Sequence, residues 1–150
     1  MRQFERLLDL ADSVGQEIGL SDWILVDQAR IQRFADASDD QQWIHTDPQR
    51  AVDGPFGGCI AHGFLTLSLI PRFFETAFSV TECRMGLNYG LNRVRFPAPV
   101  PVDSRLRGRF KLLGCEPIEE GVQLTIEVSV ERQGGDKPVC VAETLTRQYR

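Results

Sequence analysis

An aspartate and a histidine five positions apart, Asp40 and His45, stand in the most polar stretch of this 150-residue chain, Ser38 to Gln49. A carboxylate and an imidazole that converge on one water can take a proton from it and deliver one elsewhere. Histidine's ordinary pKa near 6.5 allows it to act either way around neutrality. Further on, the small-residue loop from Gly54 to Gly63 leads into an apolar segment. The first N–H groups of a buried helix are positively polarised and suit a carbonyl oxygen that gains negative charge. An acid/base pair followed by such a donor suits chemistry beside a carbonyl. The plainer reading of the same residues is a solvated loop carboxylate, a capping or core histidine, and a glycine kept for tight packing. Asp39 is the neighbouring carboxylate, read as a turn cap facing water.

These residues need elements to hold them. Phe4, Leu7, Leu8, Leu10 and Ala11 have helical spacing, ended by Gly15 and Gly19. Trp23 to Val26 reads as a short strand. Asp27 is a fitting N-cap for a helix from Gln28 to Ala37 that buries Ile31, Phe34 and Ala35. The run Ser38-Asp39-Asp40 breaks that helix, and Asp47 caps another starting near Pro48. Phe64 to Phe78 is apolar on too many sides for a surface helix, so it is predicted to lie buried against a sheet, with a kink or break at Pro71. Four stretches then change to period two: Arg84 to Phe96, Ser104 to Leu113, Gln123 to Arg132 and Val139 to Gln148. Helices followed by antiparallel strands give an α+β order.

The totals narrow the function classes. A net charge of -4 argues against nucleic acid as a partner. The four cysteines form no CxxC pair and fit reduced cytoplasmic thiols better than a disulfide framework or zinc site. The N-terminus carries acids within its apolar run and lacks a secretory signature. No apolar run reaches the ~18 residues of a membrane span. The expectation is one cytoplasmic domain over residues 1–150.

Asp40-Gln41-Gln42-Trp43-Ile44-His45, then Ala61-His62-Gly63, then Asn88-Tyr89-Gly90-Leu91-Asn92-Arg93-Val94-Arg95-Phe96-Pro97 complete a pattern. In it the chain resembles the MaoC-like, or R-specific enoyl-CoA hydratase, family, most of all its nodulation-protein-N-like branch. The likeness covers essentially the whole chain and departs where Gln42-Trp43 stands in place of the family's Asn-Pro. It implies a hot-dog fold, a curved antiparallel sheet around a long central helix, and a homodimer that joins two sheets edge to edge. It also implies reversible hydration of a trans-2-enoyl-CoA to the 3-hydroxyacyl-CoA of R configuration. Asp40 would activate water with help from His45, which returns the proton at the α-carbon, and the Gly63 N–H would hold the thioester oxygen. No metal or separate cofactor is expected, since coenzyme A enters with the substrate.

The substrate-binding set is Gln42, His62, Ser68, Asn88 and Asn92. Gln42 would steady the water or the Asp40 carboxylate, His62 would brace the loop, and Ser68 would line the pocket a turn or so beyond Gly63. Asn88 and Asn92 are placed on one strand face by their spacing. Trp43 is read as a core or interface aromatic. Arg93, Arg95, Arg105, Arg107, Arg109 and Lys111 form the one basic concentration, suited to coenzyme A phosphates or to a charged outer sheet face. Two other functions fit a related scaffold, an acyl-CoA thioesterase and a non-catalytic acyl-CoA-binding protein.

Overall fold

The strict apolar alternation in the C-terminal half builds the sheet. In the computed structural model, which describes residues 1–150, the elements follow one another as β1 (Arg2–Phe4), a 3-10 helix (Leu7–Ser13), β2 (Glu17–Leu20), β3 (Ile24–Val26) and α1 (Gln28–Ser38). Next come α2 (Trp43–Thr46), α3 (Pro48–Val52), α4 (Gly63–Ser68), α5 (Ile70–Ala77) and β4 (Phe78–Val80). Four long strands finish the chain: β5 (Met85–Arg95), β6 (Ser104–Ile118), β7 (Gly121–Arg132) and β8 (Cys140–Tyr149).

The main sheet is antiparallel in the order β2-β6-β7-β8-β5, with β3 also pairing along β6. Strand β7 puts Val122, Leu124, Ile126, Val128 and Val130 on its inner face, all fully buried. Leu106, Phe110 and Leu112 of β6 continue that layer, and Leu65 of α4, Leu69 between the helices, and Ile70, Phe73 and Ala77 of α5 pack on it. Each side chain of this size contributes about 1.5–3 kcal/mol by leaving water. No helix is long and apolar enough to cross a membrane.

Three elements differ from expectation. The predicted N-terminal helix is a three-residue strand and a 3-10 helix. Leu7, Leu10 and Ser13, the buried positions of the latter, repeat every three residues, the 3-10 period. Strand β1 pairs in parallel with β4, which commits Arg2 to Phe4 to extended backbone. The long central helix that the resemblance implies is two segments broken at Leu69. Pro71 has no N–H to continue the ladder, the physical reason for the break the sequence predicts there. Strand β6 runs on to Ile118 and turns at Glu119-Glu120, with Glu120 at φ 57.

Candidate active site

Helix α1 begins with the Asp27 side chain accepting from the Arg30 N–H at 2.8 Å, as the sequence predicts. It ends at Asp39, whose left-handed φ of 60 turns the chain sharply. Asp40 follows that turn with its side chain about half exposed. The chain then enters α2, a single turn absent from the sequence reading, and this turn carries His45 inward. Two bonds strap α2 to the loop before α4. The Ile60 N–H donates to the Ile44 carbonyl at 3.0 Å, and His45 Nδ1 lies 2.7 Å from the Ile60 carbonyl. A carbonyl only accepts, so Nδ1 bears the proton and Nε2 is left with a free lone pair.

The other histidine completes the cluster. His62, 3% exposed, places Nε2 3.0 Å from the Asp40 backbone carbonyl, which makes that nitrogen the donor. Its Nδ1 is buried without a partner. The His45 and His62 rings stack with centroids 3.8 Å apart and planes 24° apart, and the tilted Phe34 ring lies 4.9 Å from His62. Burial is the main cause that lowers the His45 pKa, and a charge on His62 would press it the same way. The Ile60 carbonyl and the Asp40 carboxylate work against them.

Asp40, His45 and His62 each offer a ligand-type atom, all within 4.8 Å of one another. Stacked imidazoles keep their in-plane lone pairs in neighbouring layers rather than converging on one ion. The arrangement suits proton transfer better than chelation.

Gly63 is the first residue of α4, so its N–H has no acceptor inside the helix. A Cβ at this position would lie 2.9–3.0 Å from the Phe96 ring, which gives the glycine a packing reason in its own right. Beside it lies a cleft of about 320 Å³, lined by Phe56, Ile60, Ala61, Gly63, Thr66 and Phe96.

The remaining expected residues divide. The Gln42 backbone N–H lies 3.4 Å from Asp40 Oδ1, while its own side chain is exposed. Ser68 lines a groove beside the helix pair, but its hydroxyl donates to the Leu65 carbonyl at 2.7 Å. Asn88 and Asn92 do not share a face. Bulges between Asn88 and Gly90 and between Leu91 and Arg93 shift the register, so Asn88 pairs with the inward Thr146. Asn92 instead donates to Glu143 at 2.6 Å on the outer side, away from the groove. Its expected place in the binding set is therefore corrected: an extra residue in a bulge reverses alternation downstream. Of the basic residues, Arg107 and Arg109 are held by Glu131, and Arg109 also by Glu17, so these two belong to a paired outer face. Trp43 is half-buried beneath the Arg50 guanidinium at 4.4 Å.

A curved antiparallel sheet over a broken apolar helix defines a hot-dog fold, and here the α1–α2 segment brings Asp40 and His45 to the helix start, where His62 is the N-cap. Solved structures share it. A MaoC-like dehydratase from Rhodospirillum rubrum superposes with TM-score 0.78 at 23% identity, covering 97% of each chain. The unliganded R-hydratase PhaJ1 from Pseudomonas aeruginosa gives TM-score 0.73 at 25% identity over 91% of this chain and 82% of its own.

The family model for the MaoC like domain matches residues 9–133, and the chain belongs to that family of hydro-lyases. It is 51% identical to 3-hydroxyacyl-thioester dehydratase Z of Mycobacterium tuberculosis over 98% of both chains. It is 49% identical to Nodulation protein N of Rhizobium leguminosarum over 93% of this chain and 89% of that one.

Proposed function

We propose that this protein catalyses the reversible hydration of a trans-2-enoyl-CoA to the (R)-3-hydroxyacyl-CoA. The observation that carries the proposal is the pair of imidazoles with fixed tautomers beside the Asp40 carboxylate, at the start of a buried helix. Water held between Asp40 and His45 Nε2 loses a proton as its oxygen attacks the β-carbon. The proton is then delivered to the α-carbon, and the thioester oxygen carries negative charge between the two events. The Gly63 N–H is the donor for that oxygen, beside the largely apolar cleft at Phe96. His62 holds the Asp40 backbone through Nε2 and supports the face of His45. The names of the dehydratase and hydratase relatives support the reaction class.

The protein is one MaoC-like domain over residues 1–150 that acts as a cytoplasmic homodimer and needs no metal or separate cofactor. Four unpaired cysteines support the compartment. The dimer is supported by β5, an edge strand bonded only to β8, which exposes Met85, Leu87, Tyr89 and Leu91. Such an unpaired, apolar edge calls for a partner strand.

The test follows the enoyl thioester absorbance with crotonyl-CoA and longer enoyl-CoAs while a thiol reagent tracks free coenzyme A. Loss of the band without thiol release, abolished in Asp40→Asn and His45→Gln, is the expected result. Thiol release would make the protein a thioesterase. Binding without turnover of any chain would make it an acyl-CoA-binding protein.

A further inference from the structure

Away from the Gly63 cleft, a second space flanks the helix pair. One part, about 350 Å³, lies among Leu67, Ser68, Pro71, Asn88, Leu91 and Thr144. The next, about 480 Å³, lies among Pro71, Phe74, Phe78, Asn88, Thr146 and Gln148. They share Pro71 and Asn88, so they form one groove between α4–α5 and the β5–β8 edge. Leu67 is four residues beyond Gly63 on α4, which starts the groove about 6 Å along that helix from the proposed thioester position, and the groove continues past the break at Leu69 to Phe74 on α5.

The wall of this groove changes character along β8. Its inner residues run Cys140, Ala142, Thr144, Thr146 and Gln148, whereas the inner face of neighbouring β7 is apolar throughout. Thr144 is satisfied, donating to the Ile126 carbonyl at 3.2 Å. Thr146 Oγ1 and Gln148 Oε1 are buried with no partner, and Thr146 as a residue is 6% exposed. Opposite them on β5 stand Asn88, against Thr146, and Gly86, against Gln148. A Cβ on Gly86 would meet nothing within 4 Å, so packing does not require the glycine and its absence of a side chain leaves room. Buried polar atoms without partners are costly, and two beside one cavity call for an occupant that hydrogen-bonds.

We propose that this groove receives the acyl chain and that its far end selects a chain carrying a hydroxyl group remote from the thioester. The proposal rests on the acyl-thioester reading above. The chain's methylenes lie along Leu67, Pro71 and Phe74. Its hydroxyl donates to Gln148 Oε1 and accepts from Thr146 Oγ1, and Asn88 flanks the pair.

The experiment compares kcat/KM for plain enoyl-CoAs of medium length with that for the same chains hydroxylated at the far end. It uses the whole protein and the variants Thr146→Val and Gln148→Leu, which keep side-chain shape. The expected result is a preference of roughly tenfold for the hydroxylated chain, the scale of leaving buried polar groups unpaired, that falls towards one in either variant. Because the readout is a ratio on one protein sample, a general loss of fold or activity does not move it. Turnover of plain chains with no preference, or a preference that survives both substitutions, overturns the proposal and leaves the hydratase reading standing. If neither chain turns over, the hydratase reading fails. Thermal stabilisation by the two acyl-CoAs then supplies the same ratio, and equal stabilisation overturns the groove assignment. Substitutions that shift the monomer–dimer balance and not the chain preference show the groove to be covered by a second copy, which also overturns it.

Discussion

At the scale of single residues, the site turns on which nitrogen keeps its lone pair. Burial lowers the His45 pKa and so favours its neutral form, and Nδ1–H is tied to Ile60, so in the proposed mechanism Nε2 is the atom that takes the proton. Asp40→Asn and His45→Gln should each lower kcat by about 10²–10⁴-fold, the usual loss for a general acid/base group, as read by enoyl-band absorbance. The lowered His45 pKa also sets a stability slope. Below about pH 6.5 the unfolded chain binds a proton at this residue that the folded chain refuses, so the unfolded state gains. Folding stability should therefore fall as pH drops from 6.5 towards the folded-state pKa. Urea denaturation between pH 5 and 8 should show a shallower decline in His45→Gln than in the natural sequence.

At the scale of elements, α4 and α5 are fixed by what they bury. Phe73 is fully buried against the sheet, and Phe73→Ala should cost about 3–5 kcal/mol in denaturant unfolding. Gly63 separates packing from chemistry. Gly63→Ala pushes a methyl against the Phe96 ring and should destabilise by about 1–3 kcal/mol. Phe96→Leu in the same chain should restore much of that stability. If the Gly63 N–H holds the thioester oxygen and needs the space around it, turnover stays low in the stabilised double variant. Recovery of turnover together with stability would reduce Gly63 to packing alone.

At the scale of the whole molecule, the sheet is unfinished at β5. Its partner β8 covers one edge, and apolar residues stand exposed along the strand. Sedimentation equilibrium should give twice the 16.9 kDa chain mass, and Leu87→Asp should shift the population towards monomer. A monomeric natural protein would refute the edge pairing. The outer face of β6 is different in kind, because Arg107 and Arg109 already pair with Glu131 and Glu17.

The sequence by itself determined whatever depends on local chemistry and period. Asp27 and Asp47 were legible as caps, and both accept the helical N–H that capping requires. The four long strands were legible because they alternate or run β-branched, most regularly in β7, which buries an apolar residue at every second position. The Asp40 to His45 spacing and the His62-Gly63 pair stood out in the sequence, and the fold brings Asp40, His45 and His62 together at the start of α4. What depends on contacts between distant segments was decided only by the tertiary structure. The pairing of β1 with β4 and the turn α2 are fixed by such partners, the first by Phe78 to Val80 and the second by Ile60. Bulges come from ladder register, so Asn92 turned outward to Glu143 while its spacing matched Asn88. The stacking of His62 on His45 joins residues seventeen positions apart that no period connects. Local propensity acts over a turn or two of chain, whereas tautomer, burial and register are set by whatever the fold brings alongside.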